Sequence, residues 1–167
     1  MEIRVARPDE YERIGRITVS TYSEIFGADL AGYEFELEAV TERAADCTVL
    51  VAADGGEILG AVTYVPGPET SMSEFTDTEA AGIRMLVVDP PHQGRGVGKA
   101  LTDRCIAMAR AERRQRIILH TTDRQPVAMR MYAGMGFIAT PEFDVYVSEP
   151  PFSPEEPIRL IAFVLEL

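Results

Sequence analysis

The segment Met85–Gly98 most constrains what this chain can fold into. It reads Met-Leu-Val-Val-Asp-Pro-Pro-His-Gln-Gly-Arg-Gly-Val-Gly. The four apolar residues predict a buried strand, and Asp-Pro-Pro ends that strand because proline has no N–H group to donate to a ladder. Three alternating glycines then predict a tight turn. From Val97 onward, apolar residues spaced by four, four and three predict a helix. The order is therefore strand, glycine-rich loop, helix.

This arrangement favours an anion at the start of the helix. Glycine lacks a Cβ atom, so a ligand can approach its backbone N–H group closely. The first N–H groups of a helix have no partner within it and lie at the positive end of its dipole, which stabilises a phosphate. The alternative is a tight turn whose glycines only permit close packing.

The spacing of the same residues excludes two nucleotide motifs. A P-loop requires serine or threonine after Gly-Lys, and here Ala100 follows Gly98-Lys99. The dinucleotide fingerprint G-x-G-x-x-G also fails, because Gly98 comes one residue too early. Neither ATP nor NAD is the predicted ligand.

Two motifs together resemble the GNAT acetyltransferase superfamily. The segment Val88–Gly98 resembles its acyl-CoA signature, V-x-P-x-x-[Q/R]-x-x-G-x-[G/A]. Farther on, Ala128-Met-Arg-Met-Tyr132 followed by Gly136-Phe137 resembles A-x-x-x-Y-x-x-x-G-F, about thirty residues later and in the expected order. The specific motifs lie between Arg84 and Phe137.

The resemblance implies acetyl-CoA as co-substrate and no metal. Backbone N–H groups of the glycine loop would bind the pyrophosphate, and the preceding strand would offer backbone groups to the pantetheine arm. Gln125 stands where relatives often have asparagine. The cofactor-binding residues implied are Leu86, Val87, Val88, Gln93, Gly94, Arg95, Gly96, Val97, Gly98, Lys99 and Gln125.

The resemblance also implies catalytic residues. Tyr132 takes the family's usual general-acid position, and a phenol with a pKa near 10 stays protonated at neutral pH. A core aromatic is the alternative. The base is left open: a common place for a glutamate is Gly82 here, so Glu79 is predicted to act directly or through water, with Glu74 as an alternative. His120, within a predicted strand, is interpreted as a core residue.

The remaining pattern predicts one mixed α+β domain over residues 1–167, with the GNAT layout. We expect a central, mostly antiparallel sheet of about six or seven strands, about four helices and one parallel strand–helix–strand crossover. Asp9 is predicted to cap the first helix, and a second helix is predicted over residues 35–45. Residues 54–56 predict a hairpin turn, and residues 148–157 a stiff connection.

Charge indicates the kind of partner. The net charge of −11 argues against nucleic acid. Residues 92–116 nevertheless carry seven basic and two acidic side chains, whereas residues 24–38, 66–79 and 148–156 hold twelve acids and no Lys or Arg. An anionic cofactor on one side and a cationic acceptor on the other would fit this division. Acidic loops in an acidic protein are the alternative.

We therefore expect an N-acetyltransferase that transfers acetyl directly to a small, cationic amine or a peptide N-terminus. The alternative is a non-catalytic acyl-CoA-binding or sensing module. No apolar run is as long as a membrane span, the N-terminus has no signal-peptide core, and Cys47 and Cys105 read as free thiols. We expect a cytoplasmic protein without a membrane partner. A homodimer and an acyl group longer than acetyl are left open.

Overall fold

The computed structural model describes residues 1–30, 32–147 and 157–167. Within these ranges the chain forms eight strands and five helices. The strands are β1 (Glu2–Val5), β2 (Thr48–Asp54), β3 (Glu57–Val65), β4 (Ala80–Val88), β5 (Arg116–Thr121), β6 (Ile138–Ala139), β7 (Val145–Val147) and β8 (Ile158–Glu166). The helices are α1 (Tyr11–Phe26), α2 (Glu34–Glu38), α3 (Val40–Arg43), α4 (Val97–Ala111) and α5 (Pro126–Gly134).

The strands form one mixed sheet in the order β1-β2-β3-β4-β5-β8-β6, with β7 also pairing with β8. Strands β4 and β5 run parallel and are joined through α4, and the other described pairs are antiparallel. The predicted α+β fold with one crossover is confirmed. The strand count exceeds the prediction because the two-residue β6 and the three-residue β7 each pair with β8.

Helices cover both faces of the sheet. Successive side chains of a strand point to opposite faces. In β2, Leu50 and Ala52 belong to the core under α4, where Leu101 and Cys105 are fully buried. Val51, on the other face, packs with the inner side of α1. The sheet therefore holds α1 on one face and α4 on the other.

Two expectations about the N-terminal region are wrong. The single helix expected over residues 35–45 is the short pair α2 and α3, because Ala39 has a ψ of +56° and interrupts the helical backbone. Asp9 does not cap α1, whose first turn has no side-chain capping bond. Glu10 instead anchors this end of the helix, since its carboxylate accepts bonds of 2.7 and 2.8 Å from Arg4.

Other expectations have simpler outcomes. The hairpin turn at residues 54–56 is confirmed, because β2 and β3 are joined by two residues with positive φ. Cys47 and Cys105 are buried and free. No described helix is long and apolar enough to cross a membrane. The connection predicted over residues 148–157 lies outside the described residues except for Pro157.

Candidate active site

The site begins where two parallel strands part. Strands β4 and β5 pair over four positions, from Ala80 opposite Arg116 to Ile83 opposite Leu119. Beyond Ile83 the ladder stops, although β4 continues to Val88. A gap therefore opens between the carboxyl ends of the two strands, beside the glycine loop that follows β4.

A bulge in β4 decides which side chains face this gap. Met85 has a φ of +50°, and the register with β3 shifts at this point. One extra residue in a strand moves every later side chain to the opposite face of the sheet. Leu86 and Val88 consequently lie on the face that Ile83 occupies before the bulge, whereas Val87 packs against the α1 core.

The glycine loop leaves the start of α4 open. Gly96, which precedes α4, is left-handed with a φ of +78°, and no side chain caps the helix. A Cβ atom at Gly96 would meet nothing within 4 Å. Because no side chain in the described part of the chain caps α4, its first N–H groups are available to a ligand. Gly98 faces Val88 and Met131, and its Cβ would lie 3.6 and 3.5 Å from their side chains.

These elements enclose a cavity of about 640 Å³, which we call the cofactor cleft. Nine of the predicted cofactor-binding residues line it: Leu86, Val88, Gln93, Gly94, Gly96, Val97, Gly98, Lys99 and Gln125. Val87 does not, because the bulge turns its side chain into the core, where it is 1% exposed. Arg95 does not either, and its Nη1 lies 3.1 Å from His92 Nδ1.

Sequence reasoning missed two walls of the cleft. Helix α1 contributes Thr21, Glu24 and Ile25, and the segment around α5 contributes Arg124, Pro126, Val127, Ala128 and Met131. No local pattern could show that α1 meets the glycine loop, which lies about seventy residues farther along the chain. Arg124 is held over the cleft by a 2.7 Å ion pair with Asp29 and lies 5.6 Å from the Phe26 ring.

The lining suits an anion joined to an apolar arm. The open end of α4 and the cation of Lys99 favour phosphate groups. Leu86, Val88 and Met131 form an apolar wall next to them. A phosphorylated cofactor with a long, weakly polar chain therefore fits the residues present.

Tyr132 lies behind the cleft rather than in its lining. The side chain is 5% exposed, and its ring packs edge-on against Phe137 at 5.7 Å and tilted against Phe163 at 6.2 Å. Burial raises the pKa of the Tyr132 phenol well above its ordinary value, so the hydroxyl keeps its proton at neutral pH. The adjacent Met131 lines the cleft.

The structure does not bring Glu79 to the cleft. Glu79 is exposed and precedes the first residue of β4. Leu86 lies seven residues farther along, roughly 23 Å at ~3.3 Å per strand residue. Gly82 has no room for a larger side chain, since a Cβ there would lie 2.7 Å from the ring of Phe75.

A second, smaller cavity of about 70 Å³ lies in the same gap, and we call it the charged cavity. Gln125 lines both cavities. The other lining residues are Tyr22, Phe26, Tyr33, Glu74, Ile83, Arg84, Met85, His120, Thr121, Thr122 and Leu160. Arg84 and His120 are the first residues of β4 and β5 beyond their parallel pairing, so the parting of the strands positions both.

The charged cavity contains a bridged cluster. One Glu74 carboxylate oxygen lies 3.0 Å from Arg84 Nη2, and the other lies 3.1 Å from His120 Nδ1. Burial opposes the charge of Glu74, but the His120 bond and the Arg84 charge outweigh it and lower the pKa of the carboxyl. The interpretation of His120 as a satisfied core residue holds for its burial and its bonds, yet the side chain also lines a cavity.

In the folded chain, arginines from other segments pair with acids of residues 24–38 and 66–79, the segments that carry no Lys or Arg of their own. Asp29 pairs with Arg124, and Asp77 pairs with Arg116. Glu74 pairs with Arg84. Glu24 lines the cofactor cleft, whereas the acids of residues 148–156 lie outside the described residues. The acidic surface counted along the sequence is therefore partly neutralised.

Comparison with known proteins identifies a family match. The family model described as "Acetyltransferase (GNAT) family" matches residues 11–137. Mouse N-acetyltransferase 8B is 31% identical over 93 residues, which cover 56% of this chain and 38% of that protein. Mycothiol acetyltransferase from Cellulomonas flavigena is 34% identical over 103 residues, 61% of this chain and 29% of that protein. The chain thus matches well under half the length of either relative.

A solved structure shares the fold along the whole chain. The structure of yncA from Salmonella typhimurium, with its cofactor acetyl-CoA, superposes with a TM-score of 0.73. The two are 22% identical, and the superposition covers 100% of this chain and 94% of that one.

Proposed function

Because the chain belongs to the GNAT acetyltransferase family, we propose that it is an acetyl-CoA-dependent N-acetyltransferase. The observation that carries the proposal is the cofactor cleft. Its glycines leave the start of α4 uncapped, and its apolar wall of Leu86, Val88 and Met131 adjoins that open helix end. The pyrophosphate would accept hydrogen bonds from the first N–H groups of α4, and the pantetheine arm would lie along the end of β4.

The proposed reaction is a direct transfer. Acetyl-CoA, when bound, supplies the acetyl group as a thioester. The neutral amine nitrogen bonds to the carbonyl carbon, the carbon–sulfur bond breaks, the nitrogen gives up one proton and the sulfur gains one. Backbone N–H groups at the end of β4 would stabilise the negative charge that develops on the carbonyl oxygen.

Two side chains are proposed to handle the protons. Tyr132 would donate to the sulfur, in keeping with the raised pKa that keeps its phenol protonated. Glu24, whose side chain lines the cofactor cleft, replaces Glu79 as the group that would accept the amine proton, directly or through water. Glu74 is a weaker base, because Arg84 and His120 stabilise its charged form.

The acceptor proposed is a small-molecule amine or a peptide N-terminus. An amine carries a positive charge before it reacts, and the carboxylate of Glu24 at the cleft would attract it. Exposed charges are screened beyond roughly 10 Å at 0.1 M salt. We therefore expect the KM for the acceptor to rise with salt while kcat changes little.

Release of free CoA thiol tests the proposal. The protein is incubated with acetyl-CoA and a panel of amino acids, polyamines, aminoglycosides and peptides, at low and high salt. Amine-dependent thiol release, with the acetylated product identified by mass, supports an enzyme. Binding of acetyl-CoA without turnover of any acceptor supports the non-catalytic module instead.

A further inference from the structure

The charged cavity holds more buried positive than negative charge. Glu74 bridges Arg84 and His120 at 3.0 and 3.1 Å. His120 Nε2 lies 2.9 Å from the carbonyl oxygen of Phe143. A carboxylate and a carbonyl can only accept hydrogen bonds, so both ring nitrogens must donate and the imidazole carries two protons. One carboxylate therefore faces a guanidinium and an imidazolium.

The protonation of His120 agrees with its surroundings. Burial disfavours the charged ring, but the hydrogen bonds to Glu74 and to the Phe143 carbonyl outweigh it and raise the pKa. Asp144 also acts on this ring electrostatically, yet its own carboxylate is held 2.6 Å from Arg159 and accepts the Ala162 N–H at 2.8 Å. Glu74 is thus the carboxylate committed to both cations of the cavity.

A third cation reinforces the excess. Arg43 is 3% exposed, donates to the carbonyls of Glu36 and Leu37, and its Nε has no hydrogen-bond partner among the described residues. Its charge acts on Tyr22, which lines the charged cavity. The carboxylates of Glu42 and Glu36 also act on Arg43 and Arg84, but both acids are exposed to solvent, which screens their charge. Burying a cation without a close anionic partner is costly. The cavity is therefore electrostatically suited to an additional anion.

The cation at the centre has donors left for that anion. Arg84 donates from Nη1 to the Met72 carbonyl and from Nη2 to the Tyr33 hydroxyl, each at 3.2 Å, and Nη2 faces Glu74. Within the described part of the chain, no hydrogen bond uses its Nε. Nε and the second hydrogen of Nη1 lie on different edges of the guanidinium, so each can donate a single charge-assisted bond to an anion.

Size and position identify the anion as part of the acceptor. At about 70 Å³ the charged cavity is far smaller than the cofactor cleft and has room for a group the size of a carboxylate. The charged cavity adjoins the cofactor cleft through Gln125. We propose that the charged cavity binds a carboxylate of the acceptor, so that the acceptor is a small amine with a carboxylate near its nitrogen, as in an α-amino acid. This inference rests on the proposed function.

Matched acceptors test it directly. Each of a set of α-amino acids is compared with its own carboxamide and with the corresponding amine that lacks the carboxyl group. We expect kcat/KM for the acid to exceed that for the amide by about 10- to 100-fold, the range of a charge-assisted hydrogen bond. Equal rates for acid and amide, or a preference for amines without a carboxylate, would overturn the inference and leave the acetyltransferase proposal standing.

Three variants separate recognition from folding and from base catalysis. Arg84→Gln should bring the acid-to-amide ratio close to one, whereas Arg116→Gln, at the far end of the β4–β5 pairing, should preserve it. Glu74→Gln removes the competing anion with little change in shape, and we expect it to lower the KM for the acid. A large loss of kcat in Glu74→Gln, with an unchanged acid-to-amide ratio, would make Glu74 a base and contradict the inference.

A binding measurement decides the matter without turnover. With CoA present, N-acetyl amino acids and N-acetyl amino amides are titrated by calorimetry against wild-type protein and Arg84→Gln. Tighter binding of the acids by the wild type, lost in the variant, supports the carboxylate site even if no acceptor is acetylated. Equal binding of acids and amides overturns it, whatever the acetyltransferase assay shows.

Discussion

The two cavities at the parting of β4 and β5 are built in different ways. One continuous segment, the end of β4, the glycine loop and the start of α4, forms the phosphate-binding side of the cofactor cleft, and α1 and the segment around α5 form its other walls. The charged cavity is formed by residues from loops, three strands and α1, which meet only in the folded chain. A backbone site tolerates changes of side chain but not of glycine, whereas a side-chain site can be altered by one substitution. We expect the first to be generic and the second to set specificity.

The largest effect should come from closing the backbone site. Gly96→Val places a β-branched residue at a φ of +78°, in a conformation that such residues rarely adopt. We expect the Kd for acetyl-CoA to rise at least about 100-fold, through loss of charge-assisted bonds to the pyrophosphate. Isothermal titration measures the change.

Gly56→Val is the matched control. Gly56 has a φ of +90°, faces open space and lies in the β2–β3 turn outside both cavities. It should cost comparable stability and leave acetyl-CoA binding unchanged. Equal loss of binding in both variants would show that strain, not the ligand site, explains the result for Gly96.

The next largest effect tests whether a core residue takes part in the chemistry. Tyr132→Phe should lower kcat by about 10- to 1000-fold with little change in the Kd for acetyl-CoA, as expected for loss of a general acid. Tyr64→Phe provides the comparison, because Tyr64 is also fully buried and its hydroxyl bonds to Glu112 at 2.8 Å. If the two variants have the same kcat, Tyr132 only packs against Phe137 and Phe163.

The ion pair of Arg4 with Glu10 lies outside both cavities. It shows what is expected when a substitution removes a charge that only stabilises the fold. The hydrogen bond from Arg4 lowers the pKa of Glu10 to about 2, against the opposing effect of burial. Stability from this pair is complete above the unfolded pKa near 4.5 and is lost as the pH falls towards 2. Glu10→Gln should therefore lower the free energy of unfolding by roughly 1–3 kcal/mol at pH 7.

Urea denaturation at pH 7 and pH 3 measures that difference. The loss of unfolding free energy should be smaller at pH 3 than at pH 7. The acetylation rate of Glu10→Gln should equal that of the wild type in the thiol-release assay, at both low and high salt. If Glu10→Gln altered the acceptor preference, the Arg4–Glu10 pair would influence specificity as well as stability. The charged cavity would then not be distinguished from a structural ion pair by this property.

The smallest effect concerns the imidazolium of the charged cavity. The pKa of His120 is raised, so its contribution to stability is complete below the unfolded value of about 6.5 and is lost as the pH rises through the folded value. Between wild type and His120→Gln, the difference in unfolding free energy should be about 1 kcal/mol at pH 6 and should shrink at alkaline pH. A difference that grows with pH would mean that His120 is neutral in the folded protein.

The contrast between the cavities also explains what could be predicted from the sequence. The residues Gln93–Lys99 lie next to each other in the chain, and their glycines indicate a tight turn, so the side of the cofactor cleft that they form was predicted, whereas the walls from α1 and α5 were not. The cluster of Glu74, Arg84 and His120 has no local spacing, and each residue reads alone as a surface charge or a core histidine. Only the pairing of β4 with β5 brings the three together.

In the sheet, too, features with a local signal were predicted and features that depend on distant residues were not. Alternation and turn residues predicted β2, β3 and the hairpin between them, because those signals are local. The pattern also indicated strands at residues 137–138 and 145–147, but not that both pair with β8. The bulge at Met85 was missed because Met-Leu-Val-Val is apolar throughout and carries no sign of a change in facing.

That bulge has a consequence for how this protein can diverge. Leu86 and Val88 can be exchanged for other apolar residues one at a time, because each touches the ligand side and leaves the core of Val87 intact. Loss of a single residue at Met85 would instead invert the whole end of the strand, placing Val87 in the cleft and its neighbours against α1. Among functional descendants, the cleft-facing end of β4 should therefore vary among apolar residues and hardly at all in length, while the turn between β2 and β3 gains and loses residues with far less effect.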